Sequence, residues 1–203
     1  VKLDVGALEY ADESLMKDKE VVLAAVAQNV GLGWADESLR MDKEVVLAAV
    51  KQNAKALVYA DASLKKDKQV VLAAVKQDVG AIVYADASLK KDKEVVLAAV
   101  AQNVGLGWAD ESLWMDKEVV LAAVKQNAKA LVYADASLKK DKEVVLAAVA
   151  QNVGLGWADE SLRMDKEVVL AAVKQNAWAL EYTDASLKKD KEVVLAAVKQ
   201  SVR

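Results

Sequence analysis

The stretch Asp42–Asn53 reads DKEVVLAAVKQN, and its spacing decides the fold. Asp42 is a good helix N-cap, and Glu44 falls in the first turn, near the positive end of the helix dipole. Lys51 lies near the opposite end. Val46, Ala49 and Val50 recur at i, i+3 and i+4, so they share one helical face. Leu47 widens that stripe, as in a helix with neighbours on two sides. Asn53 either adopts the left-handed conformation that ends helices or caps the next segment. The valines alone would favour strands, but no window alternates apolar and polar residues for long, and no Asn-Gly or Pro turn separates strands.

Outward from this word the chain repeats. Its central Leu recurs at Leu23, Leu47, Leu72, Leu97, Leu121, Leu146, Leu170 and Leu195, in steps of 24 or 25 residues. Eight modules cover nearly the whole chain, and no linker or shift in composition separates them. The other half of a module, AKALVYADASL at Ala54–Leu64 with its flanking Lys and Ala, places Ala56, Tyr59, Ala60 and Ser63 or Leu64 on one helical face. This predicts two short helices per module. Helices this short are marginal alone, and stacking module on module buries the stripes of both. The expected fold is therefore all-α: an α-solenoid of eight helix-turn-helix modules, a single continuous array over residues 1–203. It would be curved or, should its ends meet, ring-like.

Two module types occur, the shorter in second, fifth and seventh place. The longer contains KALVYADASLKKDK, as at Lys55–Lys68; the shorter contains GLGWADESLRMDK, as at Gly31–Lys43. One aromatic recurs at the same place in every module, at Tyr10, Trp34, Tyr59, Tyr84, Trp108, Tyr133, Trp157 and Tyr182. These eight are expected to be core aromatics, with the two glycines of each short module making room for its larger Trp.

The pattern A-L-x-Y-A-x-x-x-L-x-x-D-K-E-V-V-L-A-A-V-K-Q-N, matched at Ala7–Asn29 and Ala130–Asn152, resembles a repeat family catalogued only as a domain of unknown function. That family forms tandem arrays in bacterial and protist proteins. Where its pattern has Gly after Asn, this chain has Val30, Ala54, Val104, Ala128, Val153 and Ala177. The resemblance carries over no catalytic residue, because the family has none established. The word DKEVVLAAV recurs almost unchanged, with Gln69 its one internal difference. Such uniformity points to a consensus-like engineered array, with very recent duplication as the alternative.

Composition excludes more than it assigns. The 203 residues contain no His, Cys, Pro or Phe, so thiolate metal sites, disulfides and the commonest nucleophile–base pairs are absent. Interspersed charges with a net of −3 argue against a nucleic-acid face. No apolar run approaches the ~20 residues of a membrane span, and VKLDVGALEY has no signal-peptide core. The expectation is a soluble chain without cofactor, metal or catalytic residues: a structural repeat scaffold rather than an enzyme.

Two tryptophans stand outside the repeat. Trp114 occupies a position that holds Met16, Arg40, Lys65, Lys90, Lys139, Arg163 and Lys188 elsewhere. Trp178 replaces Lys55 and Lys129, and beside it Glu181 and Thr183 replace Val132 and Ala134. Cationic positions are normally exposed, so Trp114, Trp178, Glu181 and Thr183 are candidate interface residues for a protein or peptide partner. Leu8 and Tyr10 at one end, and Val194, Leu195 and Val198 at the other, are uncapped and predict head-to-tail self-association.

Overall fold

Each long helix of the array starts on the same local signal, and the computed structural model shows what that signal builds. It describes residues 10–29, 31–152 and 154–200. In the first compact unit, Val1–Gln102, the long helices are α1 (Lys19–Ala27), α2 (Lys43–Gln52), α3 (Lys68–Gln77) and α4 (Lys93–Val100). In the second unit, Asn103–Arg203, they are α5 (Lys117–Gln126), α6 (Lys142–Val149), α7 (Lys166–Gln175) and α8 (Lys191–Gln200). Within each unit consecutive long helices pack on one another, so each is an α-solenoid stack. No strand occurs among the described residues, and no described helix is long and apolar enough to cross a membrane.

Asp42 begins α2 as its sequence predicts. Its Oδ1 accepts hydrogen bonds from the Glu44 and Val45 amides at 2.9 and 3.2 Å, and Asp18, Asp67, Asp92, Asp141 and Asp165 repeat the pattern. Such a cap contributes about 1 kcal/mol. Val45, Val46, Ala49 and Val50 form the buried face; Val45 takes the place expected for Leu47, which is only half-buried.

The first half of a module departs from the expected single helix. It contains a 3₁₀ helix, Ala54–Tyr59 in the third module, followed by a separate four-residue turn, Ala62–Lys65. Between them Ala60 and Asp61 are extended, at ψ 151° and 154°. The cause is local. Asp61 Oδ1 accepts from the Ser63 amide at 2.8 Å and from the Ser63 hydroxyl at 2.6 Å, a cap that requires the chain to leave the helix first.

This break overturns the assignment of the aromatics to the core. A 3₁₀ helix repeats every three residues, not every 3.6. Ala54, Leu57 and Ala60 therefore point inward at 2%, 0% and 5% exposure, and Tyr59 falls off that face. Tyr59, Trp34, Tyr133 and Tyr182 are about half exposed and Tyr10 largely so, while Tyr84, Trp108 and Trp157 are half-buried. In five modules the interior large side chain of the first half is instead a leucine, Leu32, Leu57, Leu106, Leu131 or Leu155, while Ile82 and Leu180 at the same place are half-buried.

The glycines make room for a different ring than expected. A Cβ on Gly33 would lie 3.1 Å from Tyr59, one on Gly107 2.7 Å from Tyr133, and one on Gly156 3.2 Å from Tyr182. Each short module thus accommodates the tyrosine of the next module rather than its own tryptophan. Asn serves both roles foreseen for it. Ahead of short modules Asn29, Asn103 and Asn152 are left-handed, at φ 65–68°. Ahead of long modules Asn53, Asn127 and Asn176 are extended and cap the amides of Lys55, Lys129 and Trp178, each at 3.0 Å.

Two recurring contacts join neighbouring modules inside a unit. The amide of the A-D-x-S aspartate donates to a carbonyl of the preceding module: Asp36 to Met16, Asp61 to Arg40, Asp86 to Lys65, Asp159 to Lys139 and Asp184 to Arg163, at 2.9–3.2 Å. The lysine of each D-K-E word reaches the acids of the next. Lys19 meets Asp42 and Glu44, both at 2.8 Å; Lys142 meets Asp165 and Glu167 at 2.9 and 2.7 Å. Asp42, Asp67, Asp141, Asp165 and Asp190 cap their helices with Oδ1 and receive the previous module's ammonium chiefly on Oδ2, whereas Asp92 uses Oδ1 for both.

Candidate functional site

The cationic position after each S-L pair is structural. Arg40 Nε donates to the Ala35 carbonyl at 2.8 Å and its Nη2 to the Gly33 carbonyl at 2.7 Å; Arg163 does the same to Ala158 and Gly156, both at 3.0 Å. In long modules Lys65, Lys139 and Lys188 each reach one carbonyl, of Val58, Val132 and Glu181, at 2.8–2.9 Å. These side chains latch the first half of the module shut. At these five positions the cation donates to backbone carbonyls of its own module.

Trp114 stands in this latch position, so its assignment as an exposed interface residue is corrected. It is half-buried, its ring 5.7 Å from that of Tyr133 and tilted by 53°. Its one N–H is buried without a hydrogen-bond partner, and the Trp108 N–H shares that condition. An arginine fork has several donors for two carbonyls, whereas an indole has one, in the wrong place.

Thr183 is also corrected, being 4% exposed, with its hydroxyl donating to the Ala179 carbonyl at 3.2 Å. That bond closes back over the 3₁₀ helix Ala177–Tyr182, which carries the other two candidates. Trp178 and Glu181 are exposed, Trp178 at 78%. Together they line a groove of about 420 Å³ between the seventh and eighth modules, completed by Gly156, Trp157, Asn176 and Tyr182.

The groove belongs to a repeated class. A sister groove of about 410 Å³ lies between the second and third modules, where Gly33, Trp34, Asn53 and Tyr59 occupy the corresponding places. Lys55 and Val58 stand there in place of Trp178 and Glu181, and Tyr84 of the following module joins the rim. The sequence located the substituted pair but not the groove, because the groove depends on Gly156 giving way to Tyr182 of the next module.

The fold and these grooves define an all-α tandem repeat protein with recurring inter-module surfaces. The chain belongs to the family described as domain of unknown function DUF4116. That family's model matches eight overlapping segments, residues 1–40, 31–65, 42–88, 67–114, 105–139, 116–163, 154–187 and 165–203. No curated protein and no solved structure matches the chain.

Proposed function

We propose that this chain is a non-catalytic repeat scaffold that presents a protein- or peptide-binding groove in its second unit. The single observation that carries the binding reading is the placement of Trp178 and Glu181. The exposed indole has no packing role in the fold, yet it lines a groove that recurs elsewhere without it. Exposed aromatic anchors beside a concavity are the residues that interfaces use most heavily. The non-catalytic part is supported by composition and by geometry. His and Cys are missing, and the recurring aspartates are engaged as helix caps and ion-pair partners.

Selection from a random peptide library tests the reading. Peptides enriched on the native chain should lose at least about tenfold in affinity for Trp178→Lys, the residue the repeat itself uses, a loss of ~1.4 kcal/mol. Peptides that bind both chains equally would overturn it. The near-identity of the modules further supports a consensus-like engineered origin. Synonymous codons separate this from recent duplication: a duplicated array repeats its codons along with its residues, and a designed one need not.

A further inference from the structure

We propose that the Trp157–Trp178 groove binds an alkylated ammonium cation, of the kind carried by a quaternary ammonium headgroup or a methylated lysine. This rests on the groove's being a ligand surface and narrows it to one chemistry. A methylated ammonium has lost hydrogen-bond donors but kept its charge. It is best held by the electron-rich faces of aromatic rings, Trp above all and then Tyr. The groove is lined by Trp157, Trp178 and Tyr182, and by Glu181, its one carboxylate.

The sister groove provides an internal comparison. It too has aromatic walls, in Trp34, Tyr59 and Tyr84, but Lys55 adds a positive charge and Val58 adds none. Trp178 and Glu181 together exchange one positive charge for one negative, a change of two units, and the indole supplies at the lysine's place the third ring that the sister groove draws from Tyr84 of its following module. An anionic ligand would be served by keeping the lysine. A neutral apolar side chain or a sugar would account for the added indole but gains nothing from the carboxylate's charge. A cation with an apolar shell accounts for both.

Lys188, whose ammonium lies 2.8 Å from the Glu181 carbonyl oxygen, does not cancel the difference, because Lys65 takes the same position on Val58 at 2.8 Å. Thr183 fits the same picture. Its hydroxyl, absent at the Ala60 counterpart, ties down the 3₁₀ helix that carries Trp178 and Glu181.

Calorimetric titration of the full chain tests the proposal with choline, with its neutral isostere 3,3-dimethylbutan-1-ol, and with paired peptides bearing trimethyl-lysine or plain lysine. Each cationic probe should bind at least about tenfold more tightly than its control. The double variant Trp178→Lys, Glu181→Val restores the repeat's own residues; it should melt as a folded chain and lose saturable cation binding. Lys55→Trp with Val58→Glu should install a second site. Preference for the peptide over choline assigns the cation to a protein tail, and the reverse preference to a headgroup. Cations that bind no better than their controls, or equally well to the double variant, would overturn the proposal. Should selected peptides still require Trp178 in that case, the groove remains a binding surface and only its cation chemistry falls.

Discussion

Trp114 is the residue at which the repeat trades hydrogen bonds for a ring. Restoring the repeat's choice with Trp114→Arg supplies donors to the Gly107 and Ala109 carbonyls, the counterparts of those Arg40 and Arg163 bind. It also removes a buried N–H without a partner. Two such bonds and the lost desolvation penalty are together worth ~2–4 kcal/mol, against ~1–3 kcal/mol for the indole's burial and its contact with Tyr133. The variant should therefore be more stable, by roughly 1 kcal/mol, in chemical denaturation. A lower midpoint would show that the ring contact outweighs the latch. Trp34→Ala should cost only about 1 kcal/mol, because the half-exposed ring leaves no core cavity. Two glycines at one module position separate strain from space. Gly154 has φ +114° and its Cβ would lie 2.6 Å from that of Ala148, whereas Gly105 has φ −62° and nothing within 4 Å. Gly154→Ala should cost ~2 kcal/mol or more and Gly105→Ala less than ~0.5 kcal/mol, a contrast thermal melts read directly.

At the scale of the element, the lysine–aspartate ladder is the feature that pH and salt address. The hydrogen bond from Lys19 holds the Asp42 carboxyl below its ordinary value of 3.8, and Lys117 and Lys142 do the same for Asp141 and Asp165. Lys19 is raised above 10.5, first by Asp42 and then by Glu44. A lowered carboxyl stabilises the fold fully above its unfolded value and loses that contribution as pH falls through its folded value. A raised ammonium contributes fully below 10.5 and loses its share as pH rises through the raised value. With no histidine to titrate, stability should be flat from about pH 5 to 9 and fall at both extremes. The acid limb should be shallower in 1 M salt, because these pairs are largely exposed. A sloping plateau in melts between pH 5 and 9 would contradict this. Gln69 leaves Asp67 as the carboxylate facing Lys43, where other lysines meet two. Gln69→Glu should add less than ~1 kcal/mol, and only at low salt.

At the largest scale, the outer face of α8 carries apolar side chains that the described residues leave uncovered. Leu195 and Val198 are 45% and 56% exposed, while Val50, Val75, Val124 and Val173, the interior counterparts of Val198, are fully covered by their neighbours. Val194 is half-buried, Tyr10 is 85% exposed, and Leu8 lies outside the described residues. The face of α8 has the chemistry on which another module packs. The chain should therefore associate with rising concentration in sedimentation, and Leu195→Lys with Val198→Lys should reduce that association at least about tenfold. Concentration-independent behaviour of both chains would remove the prediction.

The repeat, the long helix with its Asp cap, and its Val46-Ala49-Val50 face follow from the sequence alone, because caps and helical periodicity are local and recur eight times. The surplus Trp178 and Glu181 were legible for the same reason: a repeat supplies its own reference at every position. What the sequence left open was decided by the folded path of the backbone within a module and by contacts between modules. The Asp-Ser cap turned the expected second helix into a 3₁₀ segment with a different inward face, moving Leu57 into the core and Tyr59 out of it. The cationic position proved to be a latch onto backbone carbonyls rather than a solvated surface, so Trp114 lies half inside. Thr183 became a buried tie, and Gly156 became the floor on which the next module's tyrosine rests. A change of helical period from 3.6 to three residues or a carbonyl within reach of a guanidinium leaves no mark on composition or spacing. Such features are set by the path of the backbone inside a module, and for the Gly156–Tyr182 contact by the packing of one module on the next.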